Sequence, residues 1–382
     1  MTTSEVWLAK LISFDTTSRN SNLALIHSIQ EWLSSHGIVS QLTYDSSGQK
    51  ANLFATMPAH NGTVQGGMVL SGHTDVVPVD GQKWDTDPFK AIEKAGRIYG
   101  RGASDMKGFI AVILALLPEF HKLRLEKPLH FAFSYDEEIG CNGAPHLIAD
   151  MQKRGIKPDA CIVGEPTEMR PVTAHKGISV FKVNARGLAT HSSLTPQGCN
   201  AIDYAASLVC YIRELANKLR KDGPFDEFYD VPFTSISTNM AQGGNAINTV
   251  PASCEFLFEI RNLPATSPQK LLEQIKYYIQ TDLLPKMQSE YLKASIDVDL
   301  IAQAPGLETS EQTDVIQLAR LLTNEKAIHK VAYATEAGLF HNAGIATIVC
   351  GPGSIEQAHR ANEFIAIEQL RLCEAFLRRL VK

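Results

Sequence analysis

Helical and strand periodicities alternate along the first 175 residues, give way to a different order near Lys176, and resume after Pro305. This change of rhythm constrains the fold more than any other feature. EVWLAKLISF and NLALIHSIQEWLSSHG carry apolar residues at helical spacing, and Gly37 closes the second in a C-cap position. NLFATMP and GGMVLSGH read as buried strands. The long apolar helix MKGFIAVILALLPEFHKL is followed by the strand KPLHFAFSYDEE, the helix CNGAPHLIADMQKRG and the strand DACIVGEP. Such alternation predicts an α/β fold, a mostly parallel sheet flanked by helices.

From Lys176 onward the order is strand GISVFKVNARG, helix NAIDYAASLVCYIRELANKLRKD, strands TSISTNMAQGG and NTVPASCEFLFEIRNLP, helix SPQKLLEQIKYYIQTDLLPKM, strand ASIDVDLIA. This is β-α-β-β-α-β, the ferredoxin-like α+β order. The earlier rhythm then returns with a helix around DVIQLARLLTNE, strands KVAYAT and ATIVCGPG, and a final helix EFIAIEQLRLCEAFLRRLVK. At 382 residues the chain exceeds the size at which a single core keeps growing. The expectation is a discontinuous catalytic domain, residues 1–175 and 302–382, with residues 176–301 inserted as a second domain. KDGPFDEFYDVPF reads as a loop at the edge of that insert.

Charge excludes one class of function. A net charge of -5 and pI near 6.2, with no basic stripe, leave nothing to neutralise nucleic-acid phosphates. No apolar run approaches the ~20 residues that span a bilayer, and MTTSEVWLAKLISFD carries no readable secretory leader. Seven cysteines without a C-x-x-C pair read as reduced thiols filling the core of a cytoplasmic protein.

Acidic and histidine residues recur at the carboxyl ends of the expected strands, where open α/β sheets place their ligands. These are His73 and Asp75 in SGHTDVVPV, Asp105 in GRGASDMKG, Asp136, Glu137 and Glu138 in SYDEEIG, Glu165 in VGEPTE, and His359 in QAHR. Singly, each has an ordinary reading: a hydrogen-bonded histidine, an N-cap aspartate, a solvent-facing pair of glutamates. Their convergence on one sheet edge, with glycines around them, points to a metal site. His73, Asp105, Glu138, Glu165 and His359 form a set of donors suited to zinc or cobalt. Asp75 is expected behind His73, fixing its tautomer. Adjacent residues on a strand point apart, so Glu138 would ligate while Glu137 faces substrate as a general base. Hydrolysis of an amide is the reaction class implied.

The combination of SGHTDVVPV, GRGASDMKG, DEE and GEPTE resembles the co-catalytic zinc aminoacylase/carboxypeptidase family, and the likeness covers nearly the whole chain. It implies a zinc-peptidase-like catalytic domain, an inserted dimerisation domain and two divalent ions per subunit, Zn2+ first and Co2+ as an option. His73 and Glu165 would hold one ion, Glu138 and His359 the other, with Asp105 bridging, Glu137 as base and Asp75 as orienting aspartate. His191, in GLATHSS, would reach across a homodimer to the partner's site and steady the oxyanion. Asn245 and Asn248 in GGNAINTVP, Arg261 in EFLFEIRNLP and Gly353 in GPGS would line the substrate, the arginine through its planar fork.

AHKG, ATEAGLF and GPGSIEQAH are similar to the branch that deacetylates N2-acetylornithine, a step of arginine synthesis, and no Thr-Ser-Asp pattern of the desuccinylating branch is present. Glu336 in ATEAGLF is accordingly expected beside a cationic substrate side chain. Another N-acyl-amino-acid deacylase, a succinyl-diaminopimelate desuccinylase or a small peptidase would use the same metal machinery. A binding protein on the same fold would lack a ligand or the base.

Overall fold

The computed structural model describes residues 3–382. Helices α1 (Ser4–Ile12) and α2 (Leu23–Ser35) precede an antiparallel pair, β1 (Ser40–Tyr44) and β2 (Ala51–Met57). Next come β3 (Met68–His73), β4 (Ile92–Lys94), β5 (Arg97–Tyr99), α3 (Gly108–Phe120), β6 (Leu129–Ser134), α4 (Ala144–Lys153), β7 (Ala160–Pro166) and β8 (Val172–His175). The chain continues through β9 (Gly177–Arg186), α5 (Ala201–Asp222), β10 (Ser235–Gly243), β11 (Ser253–Asn262), α6 (Pro268–Tyr278), α7 (Leu284–Glu290) and β12 (Ser295–Ala304). It ends with β13 (Leu307–Glu308), α8 (Asp314–Thr323), β14 (His329–Val331), α9 (Ala337–Asn342), β15 (Ala346–Gly351), β16 (Phe364–Ala366) and α10 (Ile367–Leu380).

Two compact units result. One comprises the residues up to Ala174 with Leu307–Lys330 and Thr335–Lys382; the other is His175–Gly306 with Val331–Ala334. In the first, the central sheet runs β1-β2-β6-β3-β7-β15-β8-β13. Its middle is parallel (β6 with β3, β3 with β7, β7 with β15), whereas β1, β2 and β8 pair antiparallel towards the edges. The fold is thus α/β with a helix-flanked sheet, its parallel part confined to four strands. Because β3, β6, β7 and β15 run the same way, His73, Ser134, Pro166 and Gly351 finish at one edge. That edge carries the site.

Burial explains the strand composition. Every residue of β6 and β7 is buried, as expected where helices cover both faces. Helix α3 is apolar all round and packs in the core beside α1 and α10. At Gly164, within β7, an added Cβ would stand 2.0 Å from the ring of Phe109 on α3, so only glycine lets helix and sheet close.

The second unit is an antiparallel sheet in the order β10-β11-β9-β12. Strand β9 alternates buried and half-buried positions, a sheet covered on one face. Phe181 and Phe258 stack at 5.1 Å on the covered face, within one cluster with Leu208 and Ile212 of α5 and Ile275 of α6.

Two local expectations change. Only His329–Val331 of the KVAYAT region is strand, and the last helix is preceded by β16, which pairs with β5. Together β16, β5 and β4 form a small sheet of three-residue strands, too short for periodicity to declare. Six of the seven cysteines are buried and none is bridged. Among the described residues no helix is long and apolar enough to cross a membrane.

Candidate metal centre

His73 is the last residue of β3 and is fully buried. Its Nδ1 lies 2.9 Å from the Asp75 carbonyl oxygen, which leaves Nε2 facing Asp105 Oδ1 at 3.0 Å and Glu165 Oε1 at 3.6 Å. Glu165 stands near the end of β7 and Asp105 in the short π-helical turn Ala103–Lys107 that leads into α3. His359 comes from the loop after β15, and its Nε2 meets Glu138 Oε2 at 3.0 Å and Asp105 Oδ2 at 3.4 Å. Asp105 therefore faces both imidazoles, one through each oxygen. His73, Glu137 and Glu165 offer donor atoms within 4.8 Å of one another, as do His73, Asp105 and Glu138.

Two expectations are refined by this geometry. Asp75 does hold His73, but through its backbone carbonyl, the nearer carboxylate oxygen being 3.6 Å away. The Asp75 carboxylate instead accepts from Ser18 Oγ at 2.7 Å and from the backbone N–H groups of Glu137 (3.1 Å) and Glu138 (3.3 Å). The second concerns the two glutamates, which both reach His73, Glu137 together with Glu165 and Glu138 together with Asp105. Asp136 has a positive φ of 56°, so the chain has left β6 for a turn that brings both carboxylates to the cluster. Strand alternation governs only residues that remain in the strand.

Without a cation, bound protons must offset the buried acids. Burial lifts the carboxyls of Glu137 and Glu165 well above the usual range, and neighbouring carboxylates add to the effect. Burial and then the charge of Asp105 raise Glu138 to about 7. For His73 burial acts downward, yet Glu165, Asp105 and Asp75 outweigh it and hold the imidazole well above its ordinary value. Hydrogen bonds to Asp105 and Glu138 take His359 to about 10. Asp105, despite its burial, is held below the carboxylate range by His359 and His73. Four carboxylates share this pocket with two imidazoles, and burying such charge is costly unless it is paired or coordinates metal. The donor set, hard oxygens with two imidazole nitrogens, fits divalent cations of the zinc and cobalt type.

The other expected residues are distributed as follows. Glu336, just before α9, is fully buried, and its carboxylate accepts from Ser71 Oγ and Ser134 Oγ, each at 2.6 Å. It is shielded from solvent, and the serines of β3 and β6 supply the hydrogen bonds that a buried carboxylate needs. Gly353, at φ 93°, lies so close to Ser104 that a Cβ would stand 2.4 Å from its Oγ, which presses the loop after β15 onto the Asp105 turn. In the second unit His191 and Asn248 come together: Ser192 N donates to the Asn248 carbonyl at 3.0 Å, and His191 bridges Thr249. His191, Asn245 and Asn248 are all exposed. Arg261, half-buried on β11, leans on Glu259 at 3.4 Å. Sequence reasoning passed over Arg101 and Glu363, whose only signal is that each is a charge set in a motif segment of small or apolar residues.

Fold and cluster together define a metal-dependent hydrolase acting on amide bonds. A family model described as Peptidase family M20/M25/M40 matches residues 69–382. Acetylornithine deacetylase from Pasteurella multocida (strain Pm70) is 35% identical over 370 residues, 97% of this chain and 93% of that one. Among solved structures, the M20 family metallo-carboxypeptidase Sso-CP2 from Sulfolobus solfataricus superposes with a TM-score of 0.77 at 20% identity, covering 100% of this chain and 99% of that one. Bacillus subtilis YXEP, described as a dinuclear metal binding peptidase, gives 0.66 at 14% identity, with 99% and 97% covered. The chain belongs to peptidase family M20/M25/M40.

Proposed function

We propose that this enzyme removes the acetyl group from N2-acetyl-L-ornithine, releasing L-ornithine and acetate as a step of arginine synthesis. The observation that carries this reading is the likeness, from end to end, to a protein named acetylornithine deacetylase. The complete set of acids and imidazoles at the sheet edge supports it.

In this reading His73 and Glu165 would hold one divalent ion and Glu138 and His359 the second, with Asp105 available to both. Zinc suits these ligands and cobalt substitutes for it. Bound ions lower the pKa of water towards ~7 and polarise the scissile carbonyl. Glu137 takes the proton from the attacking water and delivers it to the departing amine nitrogen. Its backbone N–H is tied to Asp75 Oδ1, and the Cys141 thiol donates to Glu137 Oε1 at 3.4 Å, which together restrain the carboxylate. Arg261 supplies the fork for the substrate carboxylate; Asn245, Asn248 and the Gly353 backbone complete the lining. His191 reaches the oxyanion from the partner subunit of a homodimer built on the inserted domain.

The test is amine release from N-acetyl-L-ornithine, N-succinyl-L,L-diaminopimelate and N-acetylmethionine, with metal-loaded and chelated enzyme. Metal-dependent preference for acetylornithine is expected; preference for another substrate on the panel would overturn the substrate assignment and leave the chemistry. The same panel decides the role of Glu336. Because its oxygens are committed to Ser71 and Ser134, Glu336→Gln is expected to lower turnover on cationic and neutral substrates by similar factors. A loss confined to acetylornithine would place Glu336 against the substrate side chain.

A further inference from the structure

Glu363, in the segment between His359 and β16, is 1% exposed, and the hydrogen bonds of its carboxylate run to the turn that carries Asp105. Its Oε1 accepts from the backbone N–H groups of Ser104 (2.8 Å) and Asp105 (3.0 Å). Its Oε2 accepts from Gly102 N (2.9 Å) and Arg101 Nη1 (2.8 Å). Four donors from one five-residue turn thus converge on a single side chain. The turn is irregular, with Asp105 at φ -122°, ψ 91°, so these N–H groups have no helix or sheet ladder to serve them. Only an ionised carboxylate offers about four acceptor positions and no competing donor.

Arg101, also 1% exposed, supplies the compensating charge and works in the opposite direction. Its Nη1 donates to the Arg360 carbonyl at 3.2 Å and its Nη2 to Gln82 Oε1 at 2.6 Å, while Gln82 Nε2 donates to the His359 carbonyl at 2.9 Å. Arg101 and Glu363 therefore stitch the turn carrying Asp105 to the loop carrying His359. A buried ion pair is a weak stabiliser compared with apolar groups of the same volume. What such groups could not do is orient the three N–H groups and three carbonyl and amide oxygens that flank the two cluster residues.

We propose that the Arg101–Glu363 pair is a positioning device that sets the placement of Asp105 relative to His359, and through it the metal affinity of the site, without touching ion or substrate. This rests on the reading of the cluster as the metal site. Partners of this kind change metal affinity by ~10–100-fold when removed. Glu363→Gln puts an amide N–H against donors on one side, and Arg101→Met leaves the carboxylate uncompensated. Each is expected to weaken metal binding by that factor, measured by competition with a chromophoric chelator, and to alter the visible spectrum of the cobalt-substituted enzyme. KM should move little while kcat falls, and the double variant should lose no more than the worse single, since the pair acts as one unit.

Gln82→Ala, at a half-buried position that does not threaten folding, removes only the outer limb and should weaken binding a few-fold. Should either buried variant fail to fold, this variant alone decides. Unchanged affinity and an unchanged cobalt spectrum in Gln82→Ala, or in either buried variant with only the melting temperature lowered, would overturn the proposal. Failure of the wild-type protein to bind metal would instead overturn the site assignment on which it rests.

Discussion

Glu137→Gln keeps its metal and loses ~10²–10⁴-fold in kcat, the span that a positioned acid–base group contributes. The amide keeps the shape of the side chain and the backbone N–H bond to Asp75 Oδ1, and removes only the capacity to take a proton. KM for the substrate should change far less, because in the proposed mechanism Glu137 acts on the reacting proton and not on the bound ground state. The same variant has a signature in the metal-free protein. Burial raises the folded-state pKa of Glu137 well above its ordinary 4.5, so above that value the folded protein retains a proton that the unfolded chain has released. Stability then falls as pH rises through this window, because the native state binds more protons than the unfolded one. Chelated wild type should lose melting temperature as pH rises above the ordinary carboxyl range, and Glu137→Gln should lose less. An unaltered kcat in Glu137→Gln would remove it from the mechanism.

Asp105→Asn is the second large effect and has the opposite profile. Here metal binding itself fails, because Asp105 offers Oδ1 towards His73 and Oδ2 towards His359, and an amide presents one oxygen and one N–H. Loss of one of two ions and a fall in affinity beyond the ~10–100-fold typical of an outer partner are expected, with turnover lost in proportion. In the metal-free protein both imidazoles should also lose part of their elevation, since Asp105 is among the groups raising His73 and His359. Elemental analysis and histidine proton resonances against pH read these two effects separately. A variant that retained two ions at wild-type affinity would show that Asp105 is not shared.

Much of this centre was legible in the chain. Strand ends are readable where apolar runs stop, and the acids and histidines at those stops (His73 after GGMVL, Glu165 in VGEPTE) lie on one edge once the strands are parallel. What stayed hidden depends on contacts distant in sequence or on backbone turns. The orientation of Glu137 and Glu138 follows from the left-handed residue Asp136, which no periodicity announces. The burial of Glu336 follows from two serines, Ser71 and Ser134, that look like ordinary strand residues. The Glu363 carboxylate lies 258 residues from the Asp105 N–H it receives. The antiparallel flank β1–β2 was obscured because β1, with residues SQLTY, carries only one strongly apolar side chain.

The central claim is that one cluster at the sheet edge holds two divalent ions and that amide hydrolysis requires them. Stripping the protein with a chelator and titrating zinc back, while counting bound ions per chain and acetylornithine turnover in the same samples, tests it most directly. Two ions per chain, with turnover absent before the first addition and restored as the sites fill, is the predicted result. Full turnover in the stripped protein, or saturation without any bound ion, would contradict it.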